Sequence, residues 1–126
     1  MRVATLEVGK PPQVLEIVVS QFPGDVGGLL ANVNRWRQQV GLEPVTDAQL
    51  PELVEAFDNG SFTGHTMRLD GPQQTLIGAA IYEPAADRTW FVKALGPPAV
   101  IDLHEQEVFQ FSRSFGAGAS DAEANE

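Results

Sequence analysis

Apolar and polar residues alternate along the first eight positions, with Ala4, Leu6 and Val8 on one side and Thr5 and Glu7 on the other. After the break Gly9-Lys10-Pro11-Pro12 the alternation resumes over 14–22, setting Leu15, Ile17 and Val19 against Glu16, Val18 and Ser20. A period of two marks a strand, so these segments predict two antiparallel strands joined by a short loop. Further on, the period changes. Leu29, Val33, Trp36 and Val40 recur at i, i+4, i+7 and i+11, the stripe of an amphipathic helix. Residues 23–27 read as the turn that introduces it, with Asp25 as the expected N-cap, and Gly41 and Pro44 end it. A second helix is predicted next: Thr46 and Gln49 have capping-box spacing, and Leu50, Leu53, Val54 and Phe57 would form its buried stripe. Pro51 sits awkwardly for that helix and suggests a displaced or tight first turn.

Asp58-Asn59-Gly60 is a strong turn signal, and three strands follow at about 61–69, 74–82 and 88–95. The short loops between them demand antiparallel neighbours. Gly96-Pro97 ends the last strand, and proline at a first helical position opens a third helix with Ile101, His104, Val108, Phe111 and Phe115 on its apolar side. The predicted order ββ-α-α-βββ-α defines a single α+β domain over 1–115, an antiparallel β-sheet of about five strands covered by two or three helices. Residues 116–126 are small and acidic and are expected to form a disordered tail.

Composition narrows the class. Hydrophobic residues make up 43% and charged residues 20% of the 126, which is globular rather than disordered chemistry. The absence of cysteine excludes disulfides and thiolate metal sites. A net charge of −9, about −6 without Asp121, Glu123 and Glu126 of the tail, argues against non-specific binding to nucleic acid or anionic membrane. A local cationic spot at Arg35 and Arg37 is still compatible with that balance. No apolar run approaches the ~20 residues of a membrane span, and no signal peptide precedes the first strand, so the chain as it stands is expected to be cytoplasmic.

The stretch 23–37, Pro-Gly-Asp-Val-Gly-Gly-Leu-Leu-Ala-Asn-Val-Asn-Arg-Trp-Arg, together with Thr89-Trp90-Phe91-Val92-Lys93 and Leu95-Gly96-Pro97, resembles a group of uncharacterised bacterial proteins. That group carries a PGDxGGxxxNVNRWR segment, then a TWFFKLxGP segment and a final helix. The ending is also similar to the PsbP-like fold of extrinsic photosystem II subunits and Ran-binding import factors. The resemblance implies a PsbP-like sheet and an accessory, binding role, and it carries no catalytic residue. Members often have an export or lipoprotein signal and a further Trp-bearing strand ahead of the position of Met1. An exported or lipoprotein chain with an upstream segment is therefore the alternative expectation for its location.

The candidate binding residues are Asp25, Asn32, Asn34, Arg35 and Arg37. Asparagine is a poor mid-helix residue because its side chain competes for backbone hydrogen bonds, so two of them in one helix suggest side chains fixed to something. Either they tie down a neighbouring loop, with Arg35 paired to an acid, or they face a ligand or partner. The glycine turn 24–28 could offer free N–H groups to an anion, but it lacks P-loop spacing and is more simply a tight turn. Trp36 and Trp90 read as core. His65 and His104 form no metal-ligand pair, no nucleophile elbow surrounds any serine, and the carboxylates show no defined opposition. No cofactor is expected. The first functional expectation is a non-enzymatic binding or accessory module that presents the Asn/Arg helix to a protein partner. The alternatives are a small-molecule binder or small enzyme with a cleft near Asp25, Asn32, Arg35 and His65, and a structural subunit pairing through an open sheet edge.

Overall fold

A computed structural model describes residues 1–116 of the chain; the predicted disordered tail lies almost entirely outside them. The strands β1 (Arg2–Val8), β2 (Leu15–Pro23), β3 (Val54–Asp58), β4 (Thr63–Asp70), β5 (Thr75–Glu83) and β6 (Arg88–Gly96) form one sheet in the order β1-β2-β6-β5-β4-β3. Every pairing is antiparallel. The helices are α1 (Gly28–Gln39), the single turn α2 (Leu50–Leu53), which follows a 3-10 turn at Asp47–Gln49, and α3 (Pro98–Arg113). The fold is therefore α+β with an open antiparallel sheet, as the periodicity predicts, but with six strands instead of about five.

The sixth strand replaces most of the expected second helix. Leu50, Leu53, Val54 and Phe57 satisfy helical spacing, yet the chain leaves the helix after Leu53 and pairs with β4 from Val54↔Met67 to Asp58↔Thr63. A four-residue helix, with proline as its second residue, gains little from propagation. The free edge of β4, in contrast, offers a ladder of hydrogen bonds to a segment containing Val and Phe, both good strand formers. The predicted capping box of Thr46 with Gln49 is present, at the head of the 3-10 turn, and in it the Thr46 backbone N–H donates to Gln49 Oε1 at 2.9 Å.

Alternation along the central strands sends side chains to both faces, and each face has its own core. On one, Val33 and Trp36 of α1 and Val40 just past its end pack with Leu50, Met67, Leu69, Leu76 and Phe91. On the other, Ile101 and Val108 of α3 pack with Leu15, Ile17, Ile77, Ala79, Ile81, Val92 and Ala94. The long apolar run of β5, Leu-Ile-Gly-Ala-Ala-Ile, is what a strand covered on both sides requires. Gly78 within it is demanded by close approach: a Cβ there would stand 3.0 Å from the Trp36 ring and collide with the Val92 carbonyl.

Three local expectations are corrected. Asp25 does not cap α1. The helix opens instead on Gly27 and Gly28, whose φ values of 73° and 78° lie in the left-handed region, with no side-chain cap. Phe111 is not core: it is 37% exposed, and Ser112 is buried beside it, its hydroxyl donating to the Val108 carbonyl at 2.8 Å. Trp90 is only half-buried, with its indole N–H donating to Glu83 at 3.1 Å, whereas Trp36 is core at 2% exposure. The C-terminus of α1 follows expectation: Gly41 adopts φ 81°, its N–H donates to Gln38 O, and Leu42 N–H reaches back to Arg37 O. Among the described residues, no helix is long and apolar enough to cross a membrane.

Candidate functional site

The buried stripe of α1 holds Val33 and Trp36 against the sheet, which turns its polar residues to two flanks and an outer side. Most of those polar groups are committed internally. The Asn32 amide donates to Val26 O and Gly28 O, both at 2.8 Å, and so ties the glycine turn to the helix it introduces. Asn34 is bonded twice to one residue: its amide donates to Val45 O at 3.0 Å, and its Oδ1 accepts from Val45 N–H at 2.8 Å. Arg37 Nε donates to Glu43 O at 2.6 Å. Asn34 and Arg37 together staple the 40–46 loop to α1, which is the intramolecular alternative for these two residues.

Arg35 differs. Among the described residues it pairs with no acid; the guanidinium carbon instead lies 5.5 Å from the centroid of the Phe91 ring. It borders a groove of about 320 Å³ between the outer flank of α1 and strands β1, β2 and β6, lined by Arg2, Val18, Ser20, Phe22, Arg35, Trp36, Gln39, Phe91 and Lys93. No Asp or Glu among the described residues lines this groove. Among the described residues none of its three cations makes a salt bridge, whereas Arg68 is held by Asp70, Asp102 and Glu105, and Arg88 by Glu83. Lys93 Nζ donates to Gln39 Oε1 at 3.0 Å. Burial holds the Lys93 ammonium below its ordinary range, and the positive charges of Arg35 and Arg2 lower it further.

A second cavity lies against the N-terminal half of α1, at Gly28, Leu29 and Asn32. Asp25, Asn32 and His65 line this cavity of about 200 Å³ with Tyr82 and Thr89, so these three are brought together, but Arg35 is not among them. Burial lowers the His65 imidazole below its ordinary value. The Tyr82 hydroxyl donates to Asp87 at 2.6 Å, a bond that raises its proton affinity. Thr89 donates to Gly24 O at 2.7 Å and Gly24 N–H donates to Asp87 O at 2.7 Å, fixing the glycine turn to the β5–β6 connection. This cavity is where the turn is anchored. His104 is a satisfied core residue, its Nε2 lying 3.2 Å from the Gln13 carbonyl, to which only a protonated nitrogen can donate.

Sequence reasoning found Arg35 and missed Arg2, Lys93, Phe22 and Phe91. The one available signal was Lys93, a lone charge inside the apolar run Trp-Phe-Val-Lys-Ala-Leu. Comparison with known protein families and with curated proteins finds no match for this chain.

Proposed function

We propose that this protein is a non-enzymatic binding module that holds an anionic ligand in the groove between α1 and strands β1, β2 and β6. One observation carries the reading: Arg2, Arg35 and Lys93, three of the eight Lys and Arg residues of a chain with net charge −9, border one groove with no acid on its walls among the described residues. Like charges gathered without counter-charges raise the energy of the empty fold, and local violations of this kind concentrate at functional positions. An anion arriving there gains charge-assisted hydrogen bonds to two guanidinium groups and an ammonium. The accessory role implied by the resemblance to PsbP-like proteins supports the same reading. Presentation of the whole helix to a protein partner would have Arg35 as its main uncommitted group, because Asn32, Asn34 and Arg37 are used internally.

The test is titration with inorganic phosphate at constant ionic strength, following backbone and side-chain NMR resonances. Saturable shifts are expected at Arg35, Lys93 and Ser20, with Arg35→Gln weakening binding about tenfold. Shifts scattered over the surface, or affinity unchanged by the substitution, would reject the site.

A further inference from the structure

The groove has a direction. On β2, Val18, Ser20 and Phe22 point to the same face, and their partners across the ladder are Lys93, Phe91 and Thr89. Lys93 therefore stands at one end and Phe22 at the other, roughly 13 Å apart at ~3.4 Å per residue. Arg2, opposite Ser20, lies between them on the outer strand. Arg35 reaches in from the helix above Phe91.

The aromatic rings are graded along this axis. Trp36 and Phe91 are 2% and 5% exposed and meet edge-on, with centroids 5.6 Å apart. Phe22 is tilted against Phe91 at 5.7 Å and is only half-buried. Arg35 already occupies a position over the Phe91 ring, so Phe22 is the ring left partly open to a ligand. A volume of about 320 Å³ is at the small end of ligand sites, the size of a single ring with its substituent rather than of a dinucleotide.

Resting on the anion reading above, we infer that the ligand is a small dianion with a flat apolar body, an aryl phosphate in kind, with its charged head among Arg2, Arg35 and Lys93 and its ring against Phe22. Three cations exceed what a single carboxylate would neutralise. Arg35, over the Phe91 ring, and the half-buried Phe22 ring, tilted against Phe91, both border the groove, and a guanidinium plane and a phenyl face each take a flat group by stacking. Ser20, midway along the floor, supplies a hydroxyl to the oxygen that links head and body.

Methyl phosphate and phenyl phosphate share the head and differ in the body, so the two are titrated into the wild-type protein by NMR. Phenyl phosphate is expected to bind about tenfold more tightly or better, with intermolecular NOEs from its ring protons to Phe22. Phe22→Ala should remove most of that gap, and Phe22→Tyr, which keeps the ring, should preserve it. Benzoate, a monoanion on the same ring, should bind more weakly than phenyl phosphate. Equal affinity for methyl and phenyl phosphate, both dependent on Arg35, would overturn the flat-body inference and leave the anion site standing. Benzoate binding as tightly as phenyl phosphate would overturn the dianionic head. Absence of saturable binding by any of the three would overturn the inference and the proposed function together.

Discussion

Asn34 and Arg35 are adjacent in sequence and look alike in chemistry, but the helix assigns them opposite duties. Asn34 exchanges two hydrogen bonds with the backbone of Val45, and no other residue type presents an acceptor and a donor at that reach in the same plane. Removing it leaves a backbone N–H and a carbonyl of a half-buried loop residue without partners. Asn34→Ala should therefore cost about 1–3 kcal/mol of folding stability in a urea titration. Arg35 is exposed and, among the described residues, its defined contact is with the Phe91 ring, so Arg35→Ala should stay within about 0.5–1 kcal/mol. A large loss at both positions would make Arg35 a strut as well, and would remove the reason to regard it as a ligand group.

At the level of elements, stability follows position in the sheet. β5 and β6 are paired on both sides and buried on both faces, whereas β1 and β3 each have one free edge, and β3 is mostly exposed. Amide hydrogen exchange should reflect this. Buried amides of β5 and β6 are expected to exchange only through global opening, and those of β3 with protection lower by about 2 kcal/mol or more. The same contrast explains what could be read in advance. β1, β2, α1 and α3 carry a period of 2 or 3.6, β4, β5 and β6 are marked off by turn signals, and the bounds of all seven lie within a few residues of expectation. β3 did not, because Leu50, Leu53, Val54 and Phe57 fit a helical stripe equally well, and only the open edge of β4, a tertiary feature, decides between the two. Asp25 failed as a cap for a related reason: Gly27 and Gly28 enter α1 through left-handed backbone, which leaves the acid two residues short of the cap position. The candidate site was legible only as Arg35. Its other walls come from β1, β2 and β6, and which residue of β2 opposes Lys93 depends on register, a property no single segment encodes.

For the molecule as a whole, the question is why an acidic fold keeps three cations together, and Lys93 offers a way to measure the cost. Its ammonium is disfavoured in the folded state by burial first and by Arg35 and Arg2 next, so its folded pKa lies below the unfolded value of 10.5. Between those two values the unfolded chain holds more protons than the folded one, so this residue makes stability rise with pH across that window. Below the window, at neutral pH, the full penalty of the charged form is present. Lys93→Met keeps most of the aliphatic stem, gives up one exposed hydrogen bond to Gln39 and removes the penalty. In a buffer free of multivalent anions it should raise Tm, by something on the order of 1–3 °C at pH 7. The gain should shrink as pH climbs through the window and the wild-type lysine neutralises itself. Tyr82, whose proton affinity is raised by Asp87, titrates in the opposite sense nearby, so the quantity to follow by calorimetry is the difference between variant and wild type at each pH. Adding phosphate should reverse the order. At free phosphate concentration c the wild type gains RT ln(1 + c/Kd) of stability, while the variant, with one cation fewer and a larger Kd, gains less. A residue that weakens the empty protein and strengthens the occupied one is kept for the occupant, and the crossing of the two stability curves with phosphate concentration is the signature to look for.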